Sequence, residues 1–485
     1  MKKENSQNHG LDGLKDDTDL KSAQSEQSSK SQNHGLDGLK DDTDLKSAQS
    51  SKSQNHGLDG LKDDTDLKSA QSEQSSKSVI QTTATTKPFL NTTIPIDWEI
   101  KKLGTLVEIV SGVSPSLFKL EIVGKYPYLK VEDLNNCQKY QTESREYSDD
   151  EKNIVPTNSV IFPKRGAAIL NNKVRINLVA VQMDSNLMAI YPKSVHLSYE
   201  YLYYQITFEQ LHKIADTSTI PQINNKHIVP YLFPLPPLPE QKAIAHILSL
   251  MDAAINKNNL LVAKKQLQKK WLMQNLLTGK KRLKGFEGEW EEKKLGKLFT
   301  EIKNINDGGD SHSVMTISSK LGLISQEDKF DRVIAGDSLK KYTQLKRGDF
   351  AYNKGNSKTF KMGCVYQLEE KQSALVPFVY ICFSPTDLID SKFYKHWFFA
   401  HALDGQLQKI ITSGARGDGL LNVNTEDFFK LKTVFPPKEE QTAIAQVLQS
   451  ADKEIQLLKT KSEKLREQKK GMMQVLLTGK KRLKI

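Results

Sequence analysis

The sequence predicts an α/β protein built twice, with two unlike α/β domains that each lead into a long heptad-patterned helix. Three observations predict this. The string LLTGKKRLK occurs at 276–284 and again at 476–484. Ahead of each copy, PEQKAIAHILSLMDAAI from Pro239 answers to EEQTAIAQVLQSADKEI from Glu439. Between these helical pieces the two halves barely resemble one another, although each shows short β-branched and aromatic runs followed by a helical one. Two copies of a frame around two different inserts predict a device that presents two surfaces at a set separation.

Residues 1–88 are low in complexity. SQNHGLDGLKDDTDLKSAQSEQSSK from Ser6 recurs from Ser31, where three residues are missing, and in full from Ser53. Leu11, Leu14 and Leu20 are the sizeable apolar side chains of the first unit, too few to offset the entropy of ordering it, so a disordered arm is expected. The body is expected to begin near Pro95, and IPIDWEIKKLG there answers to GEWEEKKLG later, Trp98 to Trp290 and Gly104 to Gly296. In the first insert YPYLKVEDL, NSVIFPKRG and VRINLVAVQ read as strands, and YEYLYYQITFEQLHKIA from Tyr199 reads as a helix. In the second, GDFAYNKGN, GCVYQL and SALVPFVYICF read as strands and KFYKHWFFAHALDGQLQKII from Lys392 as a helix. Each insert closes on prolines, PLPPLPEQ and FPPKEEQ, which fit a helix start.

The long helices step 4-3-4-3. In the first, Ile244, Leu248, Met251, Ile255, Val262 and Leu272 hold the pattern; in the second, Ile444, Leu448, Ala451, Ile455, Leu458, Leu465 and Met472 do. One frame kept for more than five heptads predicts coiled-coil packing, with Asn258 and Ser462 as polar interruptions that fix register. The expected divisions are 1–88 (arm), 94–238 (first domain), 239–284 (first helix), 285–437 (second domain) and 438–485 (second helix).

The 485 residues carry a net charge of +12, but the arm holds 12 Lys against 15 acidic residues, so the body carries +15. A body this basic favours a polyanionic partner. Cys137, Cys364 and Cys382 form no CxxC pair, which fits a reducing compartment, and neither a signal peptide nor a run long enough to span a bilayer is visible. A cytoplasmic protein without a membrane partner is expected.

Catalytic patterns are missing: there is no GxxxxGK[ST], no GxGxxG and no adenine-methyltransferase Pro-Pro-aromatic signature, and PLPPLPE and VFPPKEE are poor imitations of the last. Glu292–Lys293 and Glu370–Lys371 read as solvated charge pairs, and no metal site is expected. Binding residues are better represented. Lys164 and Arg165 follow a strand, with Asn171, Asn172 and Lys173 close behind, and the second domain offers Asn353, Lys354, Asn356, Ser357 and Lys358 at the matching place. Lys130 follows an earlier strand, while Thr219, Gln222 and Asn224 in one loop and Arg416 in another precede the last strand of each insert. Arg and Lys engage guanine or phosphate, and Asn and Gln pair bidentately with adenine, so these are the candidate DNA contacts.

The Trp–KKLG start, the PPLPEQ-type exit, the AIA-containing heptad helix and the LLTGKKRL tail, each present twice, resemble the specificity subunit of type I restriction–modification systems over about residues 94–485. The resemblance implies two α/β target-recognition domains separated by two antiparallel helices with pseudo-twofold duplication. It implies that each domain reads half of a split sequence in double-stranded DNA, and that the helices set the gap and dock two methyltransferase subunits. The chain itself would be non-catalytic and hold no cofactor. S-adenosylmethionine, ATP and Mg would serve the methyltransferase and restriction subunits of the complex. The competing readings are the recognition subunit of a related system with a fused methyltransferase–nuclease partner, a self-contained DNA enzyme, and a coiled-coil scaffold indifferent to DNA.

Overall fold

Each half of the body is tied shut by the strand of its Trp–KKLG start and the strand of its proline-rich exit. Glu99–Lys102, from the Trp–KKLG start, pairs antiparallel with Leu232–Leu235 of the proline-rich exit, and Glu291–Lys294 pairs in the same way with Lys432–Phe435. The computed structural model describes residues 80–81, 86–89 and 92–483, apart from 217–219, 307–312, 319–320, 335, 356–359 and 412–420.

The first domain holds a five-stranded mixed sheet in the order Val107–Ser111, Leu187–Pro192, Val160–Pro163, Arg175–Asn177, Tyr140–Gln141. A three-stranded sheet of Gln182–Met183, Tyr126–Leu129 and Tyr147–Ser148 lies beside it. All four residues of Val160–Pro163 are buried, as expected of a central strand covered on both faces. Helix α1, Tyr199–Glu209, follows, with Ser198 as its N-cap. It leads through the last strand into α2, Leu238–Leu276.

The second domain repeats the plan with two four-stranded sheets. One runs Phe299–Glu301, Ile381–Pro385, Phe350–Asn353, Cys364–Gln367, and the other Gly322–Ser325, Ser313–Ser318, Ser373–Val376, Thr343–Lys346. Helix α3, Ser391–Phe399, is capped by Asp390, and α4, Lys438–Leu476, completes the half.

The two 39-residue helices lie side by side, each roughly 58 Å long at 1.5 Å per residue. Their cross-links fix the direction: Asp252 meets Lys469 at 2.5 Å, Asn258 meets Ser462 at 2.7 Å, Lys265 meets Glu454 at 2.8 Å and Lys269 meets Asp452 at 2.5 Å. Numbering climbs along α2 as it falls along α4, so the pair is antiparallel. The heptad residues face this seam. Ile244, Leu248, Ile255, Ile444, Leu448 and Ile455 are buried, and Met251, Val262, Leu272, Ala451, Leu458, Leu465 and Met472 are half-buried.

The antiparallel arrangement gives each domain a mixed foundation. Ile244 and Leu248 from the start of α2 share a core with Met473, Leu476 and Leu477 from the end of α4, beneath Tyr201 and Phe233 of the first domain. Leu276 and Leu277 share the other core with Ile444, Leu448, Phe383 and Phe393. The domains therefore sit at opposite ends of one double rod.

Three expectations change. Ordered structure starts before Pro95 and inside the expected arm, because Ile80–Gln81 pairs with Arg482–Leu483 and Thr86–Phe89 pairs with Thr92–Pro95, burying Phe89 and Ile94 in the first core. Residues 1–79 lie outside the described residues. Each long helical run within a domain is broken: α1 ends where Gln210 adopts φ +66°, and α3 ends in a turn where His401 adopts φ +61°. SALVPFVYICF supplies two strands in different sheets, split where Pro377 can donate no ladder hydrogen bond.

Candidate nucleic-acid interface

In the first domain the fold brings two of the predicted clusters together. Lys164 and Arg165 leave the buried strand Val160–Pro163, and their backbone pairs with the loop that carries Gln222. Ile223 N donates to Lys164 O at 2.9 Å, Gly166 N donates to Pro221 O at 3.0 Å, and Arg165 bridges Gln222. Gly166 makes the corner at φ +75°, which a side chain would strain. Asp216 holds the opposing loop by accepting from Gln222 N at 3.0 Å. These bonds use the backbone of Gln222 rather than its side-chain amide, and the Arg165 guanidinium is exposed. Lys164 is half-buried, and burial, followed by the Arg165 charge, holds its ammonium below the ordinary value while Asp184 opposes the shift. A phosphate arriving there would relieve repulsion between the two cations.

The remaining residues of that domain divide. Asn171 is exposed and Lys173 half-exposed beside the same corner. The amide of Asn172 is engaged within the fold, donating to Thr207 O at 2.8 Å and accepting from Leu211 N at 3.0 Å, so it bridges the break after α1. Asn224 precedes the short helix Asn225–Ile228, and its N–H donates to His227 Nδ1 at 3.1 Å. Lys130 pairs with Glu146; it lies near the corner because the 184–186 turn bonds both Leu129 O and Lys164 N, each at 2.8 Å.

The second domain repeats the corner. Leu421 N donates to Lys354 O at 2.9 Å, as Ile223 N does to Lys164 O, and Asn353 Oδ1 accepts from Gly355 N at 2.8 Å. Thr219, Asn356, Ser357, Lys358 and Arg416 lie outside the described residues.

The frame holding these corners is made by residues whose recurrence is visible in the sequence but whose partners are not. Glu240, in the first turn of α2, accepts from Trp98 Nε1 at 3.1 Å and from both Nε and Nη2 of Arg482, the latter at 2.6 Å. Arg482 also binds Asp97 through two bonds of 2.8 Å. The other half repeats the clamp: Glu440 accepts from Trp290 at 2.9 Å and from Arg282 through two bonds of 2.6 Å. Each arginine thus leaves the end of one long helix to close the start of the other. Gln241 and Gln441 do the neighbouring job, accepting from Ser198 N at 2.9 Å and Asp390 N at 2.8 Å, which seats α1 and α3 on the rod. The glycine of LLTG ends each helix in the left-handed region, φ +69° at Gly279 and +67° at Gly479. A Cβ on Gly479 would come within 2.2 Å of Pro95.

The two junctions between domain and rod differ. In the first, the buried Lys139 ammonium bonds Glu200 and Tyr204 at 3.2 Å and Ser249 at 3.3 Å, while Tyr204 donates to Asp252 at 2.8 Å. In the second, His396 takes the place of Tyr204. Its Nδ1 lies 4.0 Å from Asp452, its buried Nε2 has no hydrogen-bond partner among the described residues, and a cavity of about 370 Å³ opens beside it. Among the described residues no group of three or more His, Cys, Asp or Glu could hold a metal ion, and no helix is long and apolar enough to cross a membrane.

The type I restriction modification DNA specificity domain matches residues 95–265 and again 287–467. The type I restriction enzyme MjaVIII specificity subunit of Methanocaldococcus jannaschii is 27% identical over 425 residues, covering 81% of this chain and 94% of that protein. The putative MjaX specificity subunit of the same organism is 25% identical, covering 81% and 95%. A solved structure from work on complex assembly and conformational transition of the type I R-M system superposes with a TM-score of 0.52 at 14% identity, over 81% of this chain and all of that one, and shares the fold. The chain belongs to the type I restriction–modification DNA specificity family and carries the family's domain twice.

Proposed function

We propose that the chain is the non-catalytic reader of a bipartite DNA site. Each domain recognises one half of the sequence through its corner loops, and α2 with α4 sets the gap as a coiled-coil spacer and docks methyltransferase subunits. The observation that carries this reading is the placement of two unlike domains at opposite ends of one antiparallel rod, each seated on both helices. A scaffold indifferent to DNA has no need of unlike heads on matching clamps. The methyl donor, ATP and Mg belong to the partner subunits in this reading, as does any strand cleavage. The relatives named as type I specificity subunits favour it over a system with a fused methyltransferase–nuclease partner.

The test is co-expression with the methyltransferase partner and genome-wide mapping of methylated adenine. Exchanging residues 106–238 for the corresponding domain of a relative is expected to change one half-site and leave the other half-site and the gap intact. Two altered half-sites would overturn the reading.

A further inference from the structure

The second domain leaves open a strand position that the first domain fills. In the first, Tyr140–Gln141 is the fifth strand of the sheet, parallel to Arg175–Asn177. Ile176 N donates to Lys139 O at 2.8 Å and Leu178 N to Gln141 O at 3.0 Å. The matching sheet of the second domain stops one strand short. Its edge is Cys364–Gln367, the counterpart of Arg175–Asn177, and no strand pairs with the outer side of that edge among the described residues. Connection length explains the difference. Residues 130–139 carry the chain from Tyr126–Leu129 across to the first sheet, whereas residues 319–321 return it from Ser313–Ser318 into a hairpin with Gly322–Ser325.

The open position coincides with the cavity of about 370 Å³ beside His396. Val365, Gln367 and Leu368 line it, and Leu321 and Phe399, 74% and 48% exposed, flank it. Register shows what the first domain places there. Ile176 pairs with Val160 and Gln367 with Phe350, and Val160 and Phe350 each stand four residues before the corner lysines Lys164 and Lys354. Tyr140 pairs with Ile176, so its counterpart would pair with Gln367, and a residue matching Lys139 would enter the cavity. In the first domain Lys139 bonds Tyr204; in the second, His396 stands at that place with its buried Nε2 unbonded among the described residues.

Charge selects the occupant. Glu369, Glu370 and Asp452 line the cavity against Lys269 and Lys395, whose ammoniums already contact Asp452 at 2.5 Å and Glu369 at 2.6 Å. This is an acidic spot on a basic body, suited to a cation and not to phosphate. Residues 1–78 fit it poorly, since they carry more acidic than basic side chains and no aromatic one.

We propose that the outer edge of Cys364–Gln367 takes up an extended segment of a partner protein as a fifth, parallel strand, with a lysine or arginine of that segment in the cavity against the carboxylates and His396. Strand addition draws affinity from main-chain hydrogen bonds and specificity from a side-chain pocket, and this edge offers both. An edge strand left uncovered is otherwise a liability. Such an edge would recruit protein to one domain only, whichever half-site that domain reads.

The probe is a peptide of residues 136–142 with Cys137→Ser and blocked ends, which copies the strand of the first domain. It is expected to bind the full chain and to slow hydrogen exchange at the amides of residues 365–369. Methylation of its Gln141 amide, Lys139→Ala in the peptide and His396→Leu in the chain are each expected to weaken binding at least about tenfold. Thermal unfolding would verify that the His396→Leu chain stays folded, and the two altered peptides test the edge on the unaltered chain. Absence of binding, or affinity unchanged by any of the three alterations, would overturn the proposal. Three further results would assign the edge elsewhere and also overturn it: binding that emerges only after residues 1–78 are removed, dimers of the chain that the peptide dissolves, or equal affinity for n-butylamine.

Discussion

Glu240 and Glu440 are almost wholly buried carboxylates, at 1% and 0% exposure, and a bare carboxylate there would be strongly disfavoured. The arginine and tryptophan donors make their burial tolerable, so removing the charge leaves a partly buried guanidinium without its partner. Glu440→Gln is expected to destabilise the protein by roughly 3 kcal/mol in denaturant titrations. Glu240→Gln should cost less, because Arg482 retains Asp97 whereas Arg282 turns to the carbonyl oxygens of Gly288 and Glu287. Equal losses would show that Asp97 contributes nothing.

His396 gives a pH-dependent counterpart. Burial, then the Lys269 charge, pushes its imidazole down to about 4, against an ordinary value of 6.5. Between those values the unfolded chain binds a proton that the folded chain refuses, so stability falls as pH drops from about 6.5 towards 4. The loss amounts to roughly 3 kcal/mol at most. His396→Tyr, which copies the first junction, should remove that acid sensitivity because the hydroxyl can donate to Asp452 as Tyr204 does to Asp252. Unfolding curves across this pH range would check it, and an unchanged acid slope would place the titrating group elsewhere.

At the scale of the element, the long helices combine an apolar seam with a polar layer halfway along. Asn258 donates to Leu458 O and Ser462 Oγ, both at 2.7 Å, and Ser462 donates in turn to Asn259 Oδ1 at 2.9 Å. Such a layer specifies register at a cost in stability. Asn258→Leu is expected to raise stability by roughly 1–2 kcal/mol, since Ser462 keeps Asn259 and no polar group is orphaned. It should also relax the spacing tolerated between half-sites in methylation maps. Adding one heptad to each helix lengthens the rod by about 10 Å and should widen the gap by about three base pairs, with both half-sites unchanged. A shifted half-site would show that the helices do more than space.

At the scale of the whole molecule, duplication is used to close the body. The chain passes through domain, helix, domain and helix, and Arg482 then returns to Asp97 and Glu240 beside the strand Glu99–Lys102. Much of this was legible in the sequence. The 200-residue repeat gave the two halves, the heptads gave helices that the structure places at Leu238–Leu276 and Lys438–Leu476, and the β-rich runs gave strands. The breaks after α1 and α3 were not legible, because they depend on left-handed residues, and in the first domain on Asn172 reaching across from another loop. The candidate reading surface was legible as residue types and not as a surface. Lys164 and Gln222 are far apart in the chain, and only the bridge between their loops makes them neighbours. Recurrence also marked Trp98, Gln241 and the LLTGKKRL tail as important without saying what they touch.

The sequence by itself determined the number of halves, the two long helices and the basic character of the body, because periodicity and composition reside in residues close along the chain. The tertiary structure alone decided that the helices run antiparallel, that each tail clamps the opposite half, and that one junction is plugged by Lys139 while the other leaves the buried Nε2 of His396 without a hydrogen-bond partner among the described residues. Those pairings join residues from 61 to 385 positions apart, and nothing local in the chain specifies which of many equally charged candidates will meet once the cores have packed.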